Sequence, residues 1–196
     1  VRLLGKIAEL SDRGIDIHLF VGNHDIWMFD YLPKELGVRV HHQPIQIELG
    51  GKQFFIGHGD GLGPNDYGYK RLKKIFTNRL CQWLFRWLHP DIGMRIANHS
   101  SSASRTAQTE PEYFLGRDEE WLLLYSNYKL KQLPAVDYFI FGHRHLPLDI
   151  LLDNQHSRYI NLGEWFSQCT YAEFDGQNLH LKAFENPSFD LNNAKH

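Results

Sequence analysis

Three short stretches carry side chains that could hold a metal ion and a phosphate. They are Phe20-Val21-Gly22-Asn23-His24-Asp25, Phe55-Ile56-Gly57-His58-Gly59-Asp60 and Phe141-Gly142-His143-Arg144-His145. Each runs from apolar residues through a glycine to imidazole, amide or carboxylate groups. Imidazoles combined with such oxygens suit Mn, Fe or Zn, whereas a site for a hard cation alone would not gather so many histidines. Strand ends are where α/β proteins place their sites, and glycine lets the chain turn sharply there so that side chains converge. One histidine at a strand end is more often structural, but coincidence is a poor account of three such motifs in this order. The His-x-His spacing of His143 and His145 puts both rings on one side if the chain is extended; in a turn the spacing would be incidental.

The chain has 12 histidines, and most lack such a setting. His18, His89, His99, His156, His180 and His196 read as structural, and the His41-His42 pair, which has no glycine turn beside it, reads as surface.

The elements that would position the motifs follow from periodicity. Leu3, Leu4, Ile7 and Leu10 predict a helix over 2–13, stopped by Gly14. Asp16–Val21 reads as a buried strand leading into the first motif. Val38–His41, Pro44–Leu49 and Lys52–Ile56 are further strands, with Gly50-Gly51 as a hairpin turn. Leu72, Ile75, Phe76, Leu80, Trp83, Leu84, Trp87 and Leu88 form a helical stripe that predicts one long helix ended by Pro90. A short helix over Asp91–Asn98, a polar connector over Ser100–Thr109 and a helix over Asp118–Leu133 complete the helical part. Val136–Phe141 is a buried strand into the third motif, and Leu148–Leu152, Arg158–Leu162, Cys169–Phe174 and Leu179–Phe184 read as a meander.

Composition bounds the rest. With 42% hydrophobic and 22% charged residues over 196 positions, the chain reads as one folded domain. A formal net charge of −2 gives no general attraction to nucleic acid. Cys81 and Cys169 make neither a disulfide framework nor zinc-site spacing and read as reduced thiols. No apolar run is long enough to span a membrane. The opening Val1–Lys6 does not have the pattern of a signal peptide. It lacks an initiator Met and starts within a helical pattern, so the chain reads as a fragment.

Gly-Asn-His-Asp, then Gly-His, then Gly-His-x-His resembles the second half of the calcineurin-like metallophosphoesterase signature. The resemblance implies an α/β fold, a four-layer αββα sandwich, around two divalent metal ions, with Mn²⁺ expected and Fe or Zn as the other options. It implies that Asn23, His58 and His143 bind one metal and His145 the other. His24, held by Asp25, would face the scissile phosphate as an acid or electrostatic stabiliser. The family pattern begins earlier, with Asp-x-His and Gly-Asp-x-x-Asp, and neither occurs here. The 1–196 chain is thus expected to be a single domain lacking its first strand–helix–strand, with a helical cap inserted over 61–134.

The insertion points to a substrate. Lys70, Arg71, Lys73, Lys74, Arg79, Arg86, Arg95 and Arg105 face a single acid, Asp91, across 70–105, and Phe76, Trp83, Phe85 and Trp87 alternate with them. Such a helix suits an anionic membrane surface or a phosphorylated lipid, although a stripe packed on its own core with a solvated basic face is the plainer reading. Gly63-Pro64-Asn65-Asp66-Tyr67-Gly68-Tyr69-Lys70, this cap, and Asn161-Leu162-Gly163-Glu164-Trp165 resemble the branch of the family that hydrolyses UDP-2,3-diacylglucosamine in lipid A biosynthesis. One departure is His24, where many members of that branch carry Arg. The resemblance implies release of UMP and 2,3-diacylglucosamine 1-phosphate, with the two metals activating water and clamping phosphoryl oxygens. It places the protein in the cytoplasm, peripherally on the inner face of the inner membrane. Asp66, Lys70, Arg71 and Arg105 are expected substrate contacts by charge and position. Two other readings are a phosphodiesterase or phosphatase of a soluble substrate, and an inactive fragment with half a metal site.

Overall fold

A computed structural model describes residues 1–64, 67–96, 98 and 113–185. The chain is mixed α/β and forms two compact units. The first takes in Val1–Val40 and the described residues of 65–112; the second takes in residues 41–64 and 113–185.

The first unit starts with α1 (Arg2–Asp12), ended where Gly14 takes φ +83 and its N–H reaches the Ser11 carbonyl. A short ladder joins β1 (His18–Phe20) to β2 (Arg39–His41), at whose last residue the second unit begins. Between them lies α2 (Tyr31–Leu36), which the sequence pattern did not predict; Gly37 closes it with its N–H on the Pro33 carbonyl. Val21, Leu36 and Val38 are buried.

The expected long helix is two. α3 (Tyr67–Thr77) and α4 (Arg79–Phe85) are separated at Asn78, whose side chain accepts from the Leu80 and Cys81 N–H groups. An N-cap satisfies donors that a continuous helix would bond elsewhere, so Asn78 starts a new helix rather than extending the old one. Pro90 likewise opens the helical stretch 90–96 instead of only ending its predecessor, since the first helical position needs no N–H.

The second unit is a five-stranded mixed sheet. β3 (Ile45–Leu49) and β4 (Lys52–Gly57) form the expected hairpin, with Gly50 and Gly51 both at positive φ. β5 (Tyr138–Phe141), β6 (Pro147–Leu151) and β7 (Arg158–Leu162) complete the order β3-β4-β5-β7-β6. β7 lies parallel beside β5, with β6 outside it, and β8 (Thr170–Phe174) and β9 (Leu179–Ala183) form a separate hairpin. The expected four-strand meander is therefore interrupted: β7, with Tyr159, Ile160 and Asn161 buried, takes an inner place in the sheet between β5 and β6.

Side-chain alternation divides the core between the sheet's faces. Phe55, Phe139, Phe141, Leu148, Ile150 and Tyr159 pack on Leu122, Leu123 and Leu130 of α5 (Trp121–Leu130). Phe54, Tyr138, Ile140 and Ile160 face the other way, onto Leu179 and Leu181 of the β8–β9 hairpin. Helix, sheet and hairpin are three successive layers in this unit.

Candidate metal centre

Strand pairing builds the site. β4 and β5 run parallel with Gly57 opposite Phe141, so the residues that follow each strand emerge side by side. The Gly142 N–H donates to the His58 carbonyl at 2.9 Å, carrying the ladder one step past the strands. Gly59, at φ +113, lets the chain turn there; a Cβ on it would lie 3.3 Å from Cβ of His143. The imidazoles of His58 and His143 consequently stand 5.2 Å apart, edge to face.

Each ring is prepared as a ligand. His58 Nδ1 lies 2.8 Å from Asp60 Oδ1, and the carboxylate is buried. A carboxylate behind a histidine fixes its tautomer and orientation and leaves the other ring nitrogen for a metal. Burial, with His58, His145 and Arg144 nearby, pushes His143 down to about 4 against the attraction of Asp60. His143 is therefore neutral at pH 7, the state in which imidazole binds metal. Its backbone is equally specific: φ is +66, and the Arg144 N–H reaches back to the Gly142 carbonyl at 2.8 Å. This is a γ-turn of the rare positive-φ hand. The His-x-His segment is a bend rather than an extended strand, so His143 and His145 are brought near each other by a turn. His145 is exposed.

Neighbours brace this corner. The Trp121 ring meets His143 edge to face at 5.5 Å. The Arg144 guanidinium donates to the Tyr113 carbonyl at 2.9 Å and lies 3.5 Å from the fully buried Glu120. Sequence reasoning gave no supporting role to Asp60, which acts within its own motif, nor to Trp121 and Asn161, whose contacts to His143 and Gly142 cross between elements. For Asp60 a signal existed in the His-x-Asp spacing of Gly57-His58-Gly59-Asp60.

The first motif belongs to the other unit. Asn23, His24 and Asp25 occupy the turn after β1; Asn23 is half-buried, and His24 and Asp25 are exposed. Asp25 Oδ1 accepts from the Gly22 N–H at 3.1 Å, so this carboxylate shapes the turn. Two residues on, the Trp27 indole donates to the Phe76 carbonyl at 2.8 Å and packs edge-on to Phe76 and Phe85, pinning the loop to α3 and α4. Lys70 sits over the Tyr67 ring, and Arg71 is exposed on the same helix. Asp66 and Arg105 lie outside the described residues, as does the 100–109 connector.

The donor chemistry fits a divalent ion at His58 and His143: two imidazoles, one backed by a buried carboxylate and one held neutral. Among the described residues, no three His, Cys, Asp or Glu side chains complete a ligand set.

A mixed sheet whose neighbouring parallel strands end in two facing histidines, one of them backed by a buried carboxylate, is consistent with a metallophosphoesterase. No family model matches the chain. A UDP-2,3-diacylglucosamine hydrolase of Porphyromonas gingivalis is 38% identical over 94% of the chain and 74% of its own length. Proteins of the same name from Pseudomonas putida and Pseudomonas entomophila are 31% and 30% identical, over 91% of the chain and 74% of their lengths. The chain belongs to the UDP-2,3-diacylglucosamine hydrolase family and is a hydrolase. Membership implies divalent metal ions.

Proposed function

We propose that the protein hydrolyses the pyrophosphate of UDP-2,3-diacylglucosamine. One water is consumed, the P–O–P bond breaks, and UMP and 2,3-diacylglucosamine 1-phosphate leave. The observation that carries this reading is the His58–His143 pair, backed by Asp60, in a chain 38% identical to a hydrolase named for that lipid.

In this reading Asn23, His58 and His143 are ligands of one ion and His145 of a second, with Mn²⁺ the expected metal. When bound, the ions supply positive charge for the phosphoryl oxygens and lower the pKa of water. His24 neutralises phosphoryl charge or protonates the leaving oxygen, and Asp25 fixes the turn that presents it. Lys70 and Arg71, with Asp66 and Arg105, hold the polar part of the substrate.

The surface of α3 and α4 supports a lipid substrate. Neither helix has a buried residue, and Ile75, Leu80, Trp83, Leu84 and Trp87 are exposed among the basic side chains. Apolar side chains beside Lys and Arg suit acyl chains and an anionic bilayer. No helix among the described residues is long and apolar enough to cross a membrane. Peripheral binding at the cytoplasmic face of the inner membrane follows from this reading, with 61–134 as a cap on a single four-layer αββα domain.

The test uses protein made from the complete reading frame, loaded with Mn²⁺ and given the UDP-lipid in mixed micelles. UMP release supports the reading. Turnover of a soluble chromogenic diester without UMP release from the lipid moves the substrate to a soluble phosphodiester.

A further inference from the structure

Asn161 is a polar residue in the wrong place for an ordinary strand. It sits near the end of β7, between β5 and β6 in the sheet, and is fully buried. A buried amide is costly unless its donors and acceptor are used. All are used here, and on one corner of the site. Nδ2 donates to the Gly142 carbonyl at 2.6 Å and lies 3.4 Å from the Tyr159 hydroxyl; Oδ1 accepts from the Gly163 N–H at 3.2 Å.

The Gly142 carbonyl is the hinge of the γ-turn that presents His143. It accepts the Arg144 N–H at 2.8 Å from one side and the Asn161 amide from another. The N–H of the same Gly142 bonds the His58 carbonyl at 2.9 Å. The parallel pairing of Phe141 with Asn161 sets the amide one residue behind the carbonyl it reaches. A positive φ on a residue with a Cβ persists only where its surroundings over-determine it. The Asn161 amide is a side chain that does so here.

We infer that Asn161 is the positioning residue of the metal centre: its amide holds the Gly142 carbonyl, and thereby sets His143 in its left-handed turn against His58. This rests on the reading of His143 as a metal ligand. Asn161 touches neither metal nor substrate in this role. Asn161→Leu keeps the volume and removes the donor; Asn161→Asp keeps the shape and sets a carboxylate oxygen against the Gly142 carbonyl.

The experiment compares both variants with Ile160→Val, a core change one residue away on the opposite face, in protein from the complete reading frame. In metal-free protein the expected result is roughly ten-fold faster amide exchange at Arg144 and shifted imidazole resonances of His143 in the Asn161 variants only. Mn²⁺ affinity should fall at least about ten-fold, the usual effect of losing a residue that orients a ligand, and kcat should fall while KM holds. Ile160→Val should lower Tm without moving these signals. Wild-type Arg144 exchange and His143 resonances in a folded Asn161 variant overturn the inference. If neither variant folds, Asn161→Ser, which retains a shorter donor, is read by the same two signals. Unchanged Mn²⁺ affinity in His143→Ala refutes the ligand reading instead, and the exchange and ring signals still decide the role of Asn161.

Discussion

The two units bury themselves very differently. In the second, Phe139, Phe141, Leu148, Ile150 and Tyr159 are completely enclosed between sheet and helix. In the first, α1, α3 and α4 contain no buried residue, and Trp83 and Trp87 are more than half exposed. Burial of apolar area is the main favourable term in folding, so the second unit carries the rigid framework and with it the His58–His143 pair. The first carries loops and helices whose apolar groups remain available to a ligand. A metal centre needs ligands held to fractions of an ångström, whereas a lipid-binding face needs adaptable apolar surface.

Truncating one aromatic in each unit separates the two most directly. Phe139→Ala should cost about 3–5 kcal/mol in denaturant unfolding, as a large cavity in a closed core does. Trp83→Ala should cost within about 0.5 kcal/mol. Equal costs would mean that the α4 face is core after all. Next in size is charge. Replacing Lys73, Lys74 and Arg79 by Glu should weaken binding to phosphatidylglycerol vesicles by about two orders of magnitude, at about 1 kcal/mol for each cation near an anionic surface, and added salt should shrink the difference. Vesicle binding equal to wild type would leave those helices with a solvated basic face only. Asp60→Asn should lower Mn²⁺ affinity about 10–100-fold with little change in Tm, since it removes the carboxylate that orients His58. Unchanged affinity would make the His58–Asp60 contact purely structural.

The smallest expected effect lies just after β7, at Glu164 in the second unit. After β7, burial opposes ionisation of Glu164, but hydrogen bonds from the Ser167 hydroxyl and the Gln168, Ser167 and Phe166 amides outweigh it and hold the carboxyl at about 2. A depressed carboxyl stabilises the fold above its unfolded value, near 4.5, and that contribution is lost as pH falls towards 2. Glu164→Gln should therefore lower Tm by about 2 °C at pH 7, with the gap closing by about pH 2. A gap that persists in acid would show that shape, not charge, matters at this turn.

Much of the framework was legible in the chain. Leu3, Leu4, Ile7 and Leu10 marked α1, Gly50-Gly51 marked the β3–β4 hairpin, and the buried strand expected over Val136–Phe141 is observed over Tyr138–Phe141. The errors fell where short-range chemistry overrode periodicity. Asn78 divided a continuous apolar stripe because its side chain offered the next turn a cap. α2 was missed because six residues containing Pro33 carry almost no periodic signal.

The sequence by itself determined which residues could do chemistry, and on which strand ends they lie, because glycine, imidazole and a two- or 3.6-residue period are local properties. Only the tertiary structure decided that His58 and His143 are neighbours. That follows from the parallel pairing of β4 with β5, strands far apart in the chain whose register rests on hydrogen bonds no local pattern encodes. The pairing of β5 with β7 likewise sets the Asn161 amide on the Gly142 carbonyl beside His143, whereas Asp60 orients His58 from within the same loop. A buried carboxylate or amide finds its meaning only in the partner that burial brings to it.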